Sequence, residues 1–251
     1  MQKNILVTGA TAGFGKAIAE LFASNGWNCI ITGRRKERLD ELAATLTEKY
    51  KVNILPLCFD VREKATVFAQ LTSLPAEWQS ISVLVNNAGL ALGRDSFEQA
   101  NVDDWDTMLD TNVKGLLYVT KALMPALIKN KTHVFNIGSI AGKEVYKDGN
   151  AYCASKHAVD AISKSMRIDL LQYGIKVTAI HPGAVDTEFS LVRYKGDQQK
   201  AANTYVGFQP LAAQDIAAII WYCANLPAHV CINDLTVTCT AQANATIFHK
   251  V

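Results

Sequence analysis

A single α/β domain, built as a doubly wound parallel sheet with helices on both faces, is predicted for this chain by three observations. Short β-branched and apolar runs alternate with helix-periodic stretches from the N-terminus to about residue 180. A glycine-rich loop follows the first apolar run directly and opens onto a helical pattern. At 251 residues and 49% hydrophobic content, the chain has enough apolar side chain for one large core.

The first strand is Asn4 to Thr8, followed by Gly9-Ala10-Thr11-Ala12-Gly13-Phe14-Gly15 and a helix signalled by Ile18, Leu21 and Phe22. Strand, glycine loop and helix in that order form a phosphate cradle, the first unit of a Rossmann-type sheet. Gly9 permits the tight turn, Gly13 lets backbone approach a pyrophosphate, and Gly15 lets helix and strand pack closely. The second strand, Asn28 to Thr32, ends in Gly33-Arg34-Arg35, about 20 residues beyond the loop, where such a fold reads the adenosine ribose. An acid there would accept the ribose 2′-hydroxyl, whereas arginine suits a 2′-phosphate. NADP is therefore expected over NAD.

A helix over about Lys36 to Lys49, a strand at Val52 to Cys58, a helix at Lys64 to Leu71 and a strand at Ser82 to Val85 continue the alternation. Ligands of such sheets gather at the carboxyl ends of the strands. Those ends carry Asp60-Val61 and Asn86-Asn87-Ala88-Gly89. Asp60 suits the adenine amino group or a helix cap, and the two asparagines suit either nucleotide contact or holding the turn. A long helix follows from Val102 to about Lys129, capped near Asn101 and bent or ended by Pro125. Asn112 lies inside it, and a buried amide there needs partners. A distorted turn that frees a carbonyl for water, or an interhelical hydrogen bond, would account for it.

The fifth strand, from His133, delivers Ser139 to the same edge, and the sixth, Lys176 to Ile180, ends at His181, read as structural. Between them lies Tyr152-Cys153-Ala154-Ser155-Lys156, whose spacing puts phenol and ammonium on one helix face. A phenol titrates near ~10, and bringing it to neutrality takes about 4 kcal/mol of preference for phenolate. The Lys156 ammonium, with a second positive charge nearby, would supply much of that. On its own the pair also fits a surface contact.

Charge is nearly balanced at +2, with no basic stripe, which argues against a nucleic-acid partner. No apolar run approaches the length of a membrane span, and a cytoplasmic protein is expected. The six cysteines show no metal-ligand spacing, so no metal is expected and reduced thiols are.

Taken together, Thr8-Gly9-x-x-x-Gly13-x-Gly15, Asn86-Asn87-Ala88-Gly89, Asn112, Ser139, Tyr152-x-x-x-Lys156 and Pro182-Gly183 through Thr187 resemble the short-chain dehydrogenase/reductase family along nearly the whole chain. The resemblance implies Tyr152 as catalytic acid/base and Lys156 as its pKa-lowering neighbour and ribose contact. It implies Ser139 as donor to the substrate oxygen and Asn112 as holder of a relay water. Cofactor contacts are implied at Gly9, Thr11, Gly13, Phe14, Gly15, Arg34, Arg35, Asp60, Val61, Asn87, Ala88 and Gly89. Further contacts are implied at Pro182, Gly183, Val185 and Thr187, with Tyr152 and Lys156 reaching the nicotinamide ribose. One catalytic domain over 1–251 and a homotetramer are implied too.

The stretch from Pro182 to Asp197, with Pro210-Leu211, Asp215-Ile216-Ala217 and Leu226-Pro227, more specifically resembles NADP-dependent 3-hydroxy acid dehydrogenases that oxidise serine and allo-threonine. A mobile substrate loop is expected at about 183–210, with Arg193 and Lys195 offered to the carboxylate of a hydroxy or keto acid. A 3-ketoacyl-type carbonyl reductase and a non-catalytic NADP-binding regulator are the competing expectations. The tail from Thr240 to Val251 shows no pattern and is expected to pack between subunits.

Overall fold

The computed structural model describes residues 3–251. Seven strands form one parallel sheet in the order β3-β2-β1-β4-β5-β6-β7. They are β1 (Asn4–Val7), β2 (Asn28–Gly33), β3 (Ile54–Cys58), β4 (Ile81–Asn86), β5 (His133–Ile137), β6 (Lys176–Pro182) and β7 (Asp234–Val237). The first six match the expected strands to within about two residues. Pro56 is tolerated in β3 because that strand lies at the sheet edge, where a missing N–H breaks no ladder on the outer side.

Helices cover both faces because the strands are apolar on both. Ile5 and Val7 of β1 point to one layer with Ile18 and Phe22 of α1 (Gly13–Ser24), Leu39 of α2 (Lys36–Tyr50) and Ile220 of a later helix, Ala213–Ala224. Leu6 points the other way, to Val67 of α3 (Lys64–Thr72) and Val119 and Leu123 of α5 (Leu116–Asn130). Phe22 is wholly buried, and truncating it to alanine would cost about 3–5 kcal/mol.

The expected helix from Val102 to about Lys129 forms in three parts. α4 (Val102–Leu109) is capped by the Asn101 side chain, which accepts from the Asp103 N–H at 2.8 Å. A π-helical stretch, Asp110–Gly115, carries Asn112, and α5 continues past Pro125 to Asn130. Pro125 does not end the helix: it sits on the exposed face beside Lys121, whose freed carbonyl can turn to water.

After α6 (Asn150–Asp169), the expected 183–210 loop is partly helical, with α7 (Glu188–Arg193) and α8 (Gln198–Asn203). α9 (Ala213–Ala224) then packs on α1. The tail lies against its own chain. The Gln242 side chain accepts from the Ala184 N–H at 2.8 Å, and the Phe248 ring stands 4.8 Å from that of Phe208. Among the described residues no helix is long and apolar enough to cross a membrane, and all six cysteines are free.

Candidate active site

The carboxyl ends of the strands open into a cleft of about 960 Å³ that runs from the glycine loop to Tyr152. At its β1 end, Gly9 and Gly13 adopt φ of +68° and +50°, the left-handed region that glycine enters freely. A Cβ on Gly15 would fall 2.4 Å from the Gly9 carbonyl oxygen, so only glycine lets α1 approach β1 so closely. Ala12 offers no side-chain cap to α1, which leaves its first N–H groups available to an anion.

Asn86 and Asn87 hold the turn. Asn87 donates to the carbonyls of Thr8 and Gly9 at 2.8 and 3.1 Å, fastening the glycine loop to β4. Asn86 is buried and donates to Thr120 and Asn136. Asn87, Ala88 and Gly89 also line the cleft, as do Thr11, Phe14 and Val61.

At the β2 end, Arg34 is 55% exposed and lies 3.7 Å from Asp60. Asp60 caps no helix; it accepts from the backbone and side chain of Arg62. Burial alone would raise its carboxyl, but those bonds hold it below its ordinary value. Arg35 donates to the Thr11 hydroxyl at 3.1 and 2.7 Å and to Glu188 at 3.0 Å, and Arg38 also donates to Glu188. Thr11 and Arg35 thus stand together, while Arg38 and Glu188 were not singled out by sequence.

At the other end Ser139 and Tyr152 line the cleft, and Lys156 and Asn112 lie behind it beside Gly89; all four are buried. Lys156 Nζ donates to the Ile137 carbonyl at 2.9 Å. Asn112 accepts from the Leu90 N–H and donates to the Leu90 carbonyl, both at 2.8 Å, and donates to Ser155 at 3.0 Å. Its amide therefore makes an interhelical bond, to Ser155 of α6, from within a π-helical turn. A Cβ on Gly89 would lie 3.2 Å from Asn112 Oδ1 and 3.4 Å from Lys156 Nζ.

Burial is the largest influence on Tyr152 and pushes its phenol well above the ordinary value. Tyr146 adds to this, while the Arg193 charge and a hydrogen bond from Ser139 pull the other way. Burial also brings Lys156 down to about 8. Of the charges acting on the phenol, the Arg193 guanidinium is the cation that lowers it.

Arg193 comes from α7 and turns inward. Its guanidinium donates to the Tyr146 hydroxyl at 2.6 Å, and its Cζ stands 4.8 Å from the Tyr152 ring centroid. Nε is buried without a partner. Lys195 is not brought to the cleft: its φ is +52° and its Nζ pairs with Asp104 at 2.8 Å. Tyr146, which holds Arg193, carries no local motif; only the Arg193 contact reveals it. Pro182, Gly183, Val185 and Thr187 line the cleft between the two ends.

A family profile described as short chain dehydrogenase matches residues 3–197. The NADP-dependent 3-hydroxy acid dehydrogenase of Salmonella typhi is 48% identical over 243 residues, 96% of either chain. Sulfoacetaldehyde reductase 2 of Chromohalobacter salexigens is 44% identical over 245 residues, 97% of this chain and 96% of its own. Among solved structures, the closed form of serine dehydrogenase complexed with NADP+ aligns with a TM-score of 0.92 at 45% identity, over 99% of both chains.

Proposed function

The chain belongs to the short-chain dehydrogenase family, and from that premise we propose that it transfers hydride between a small 3-hydroxy acid and NADP, with Tyr152 as acid/base. It is an NADP-dependent oxidoreductase. The residues suit that cofactor: an uncapped helix start and glycine turns for the pyrophosphate, and Arg34 with Arg35 for the 2′-phosphate. NADP supplies the hydride acceptor or donor at its nicotinamide.

The chain's own residues do the rest. In the oxidative direction the phenolate form of Tyr152 takes the proton of the substrate hydroxyl at Oη, leaving the neutral phenol, while Ser139 Oγ donates to the same oxygen. Lys156 would hold the nicotinamide ribose, and Asn112 would fix the turn from which a proton-relay water could be bonded. Arg193 takes the carboxylate as a two-pronged donor.

The observation that carries the substrate class is the 4.8 Å between the Arg193 guanidinium and the Tyr152 ring. A 3-hydroxy acid separates hydroxyl from carboxylate by two carbons, so a small molecule engages base and cation together. A ketoacyl thioester has no anion at that distance, and a two-carbon sulfonate aldehyde does. Serine, allo-threonine and 3-hydroxypropionate are therefore the expected substrates.

The test is nicotinamide absorbance followed with NADP and NAD across these acids, sulfoacetaldehyde and neutral ketoesters. Turnover of the acids with NADP is expected; faster turnover of the neutral ketoesters would overturn the assignment. A cytoplasmic homotetramer is part of the same reading. Leu109, Leu117, Ile168 and Leu171 are exposed apolar side chains that subunit contacts would cover, and light scattering measures the mass.

A further inference from the structure

His181, next to last in β6, has 0% of its surface exposed, and its two ring nitrogens face different partners. Nδ1 donates to the Ser139 carbonyl at 3.2 Å. A carbonyl carries no proton, so that bond fixes the hydrogen on Nδ1. The same carbonyl accepts from the Gly142 N–H at 2.8 Å, closing the turn after Ser139. The ring also presses on the residue before the serine: a Cβ at Gly138 would lie 2.5 Å from Nδ1. Both residues at the end of β5 are thus set against one imidazole.

On the far side, Nε2 stands 3.3 Å from Asp234 Oδ2 of β7 and 3.6 Å from Asp160 Oδ1 of α6, and makes no hydrogen bond. The two carboxylates are bridged by Lys143 Nζ at 2.8 and 2.7 Å, and Lys164 pairs with the other oxygen of Asp160. The cluster therefore has its cations within the chain. Burial, with the Lys143 charge next, holds His181 below its ordinary value, while Asp234, Asp160 and the Ser139 bond oppose that.

The placement of the cluster connects it to the cleft. Lys143 follows Ser139 by four residues, and Asp160 follows Lys156 by four on the same helix. The ion pairs clamp the Ser139 turn, α6 with Tyr152 and Lys156, and the edge strand β7 around the histidine. The charges are partly exposed and add little to stability by themselves, but together they hold a ring in one orientation.

We propose that His181 is a positioning residue: through its Nδ1 bond to the Ser139 carbonyl, backed by the Asp160–Lys143–Asp234 cluster, it aims the Ser139 hydroxyl at Tyr152 and the substrate oxygen. The inference rests on the reading of Ser139 as that donor.

The test is steady-state turnover of a 3-hydroxy acid with NADP by wild type, His181→Leu, His181→Asn, His181→Gln, Ser139→Ala and the His181→Leu/Ser139→Ala double variant. NADPH fluorescence titration and a thermal melt of each protein accompany it. His181→Leu is expected to lose about tenfold to a hundredfold in kcat, with NADPH affinity and substrate KM nearly unchanged. His181→Asn presents an amide N–H where Nδ1 was and restores most of the rate; His181→Gln does not. In the Ser139→Ala background His181→Leu costs no further rate, because the group it positions is gone.

The same fold-loss in both backgrounds, or equal rates for folded Asn and Gln variants, overturns the proposal. If His181→Leu does not fold, the Asn and Gln pair decides it. A wild type without hydroxy acid turnover, or a fully active Ser139→Ala, overturns the reading of the site. An impaired Ser139→Ala beside a fully active His181→Leu overturns only the role of His181.

Discussion

The guanidinium carbon of Arg193 lies 4.8 Å from the centroid of the Tyr152 ring, whereas Lys156 Nζ lies 6.0 Å away. Burial and Tyr146 raise the phenol, and Arg193 with Ser139 opposes them. Removing the cation leaves only the Ser139 bond against the raising influences, so in Arg193→Gln the limb on which kcat/KM for alcohol oxidation rises with pH moves to higher pH. A substrate carboxylate on Arg193 partly neutralises it. In the wild type the limb for kcat, which reports the substrate complex, should therefore lie at higher pH than that for kcat/KM. Coincident limbs, unmoved in Arg193→Gln, would separate Arg193 from the acidity of Tyr152.

The same guanidinium is expected to anchor the substrate. A charge-assisted bond to a carboxylate contributes about 2–3 kcal/mol, so Arg193→Ala should raise the KM of a hydroxy acid by about 30-fold to 160-fold. A neutral ketone should lose little. An unchanged KM for the acid would count decisively against the contact.

Cofactor choice is assigned to the β2 edge. Arg34 is only loosely paired with Asp60, at 3.7 Å, while the fork of Arg35 is engaged by Thr11 and Glu188. Arg34 is thus the freer cation for a 2′-phosphate, though its exposure weakens each contact. Arg34→Glu should weaken NADPH binding by about tenfold to a hundredfold and NADH binding far less, as measured by fluorescence titration. An unchanged preference would sink the assignment.

These contacts mark the boundary of what local sequence carries. The strands from β1 to β6 were legible because each is an apolar run followed by a turn signal. β7, four half-exposed residues at the far edge, has too little of either. α9 did carry a signal, since Ile216, Ala217, Ile220 and Cys223 recur at helical spacing and are its buried face. In the site, spacing marked the glycine loop and put Tyr152 and Lys156 on one helix face, while the roles of Ser139 and Asn112 came from the family resemblance. Glu188 could not be named, because its partner Arg38 is 150 positions away and nothing near either implies the pair. Lys195 misled for the reverse reason: it sits beside Arg193 in sequence, yet the left-handed turn there directs it to Asp104.

Asn112 joins stability to the site. Its amide satisfies both the N–H and the carbonyl of Leu90 and bonds Ser155 on α6. Asn112→Ala leaves those buried groups without partners, and each costs about 1–3 kcal/mol unmade. A loss of ~3 kcal/mol in urea unfolding is expected together with lost turnover; unchanged stability would show that water replaces the amide.

Lys156 should show the opposite sign. Burial brings its ammonium down to about 8 from 10.5, so at pH 7 the folded chain holds a charge whose burial costs about 3 kcal/mol relative to the neutral amine. Lys156→Met removes that cost and forfeits the bond to the Ile137 carbonyl, worth ~1 kcal/mol. The variant should therefore be inactive yet more stable than the wild type by ~2 kcal/mol in urea at pH 7. Because the folded pKa lies below the unfolded one, the unfolded wild type binds more protons between pH 8 and 10.5. Wild-type stability thus gains from this group as pH rises through that window, and the advantage of the variant should shrink and vanish by its upper end. A variant less stable than wild type at pH 7 would mean that the ammonium is compensated in the fold, and that the lysine is retained there without the cost its burial implies.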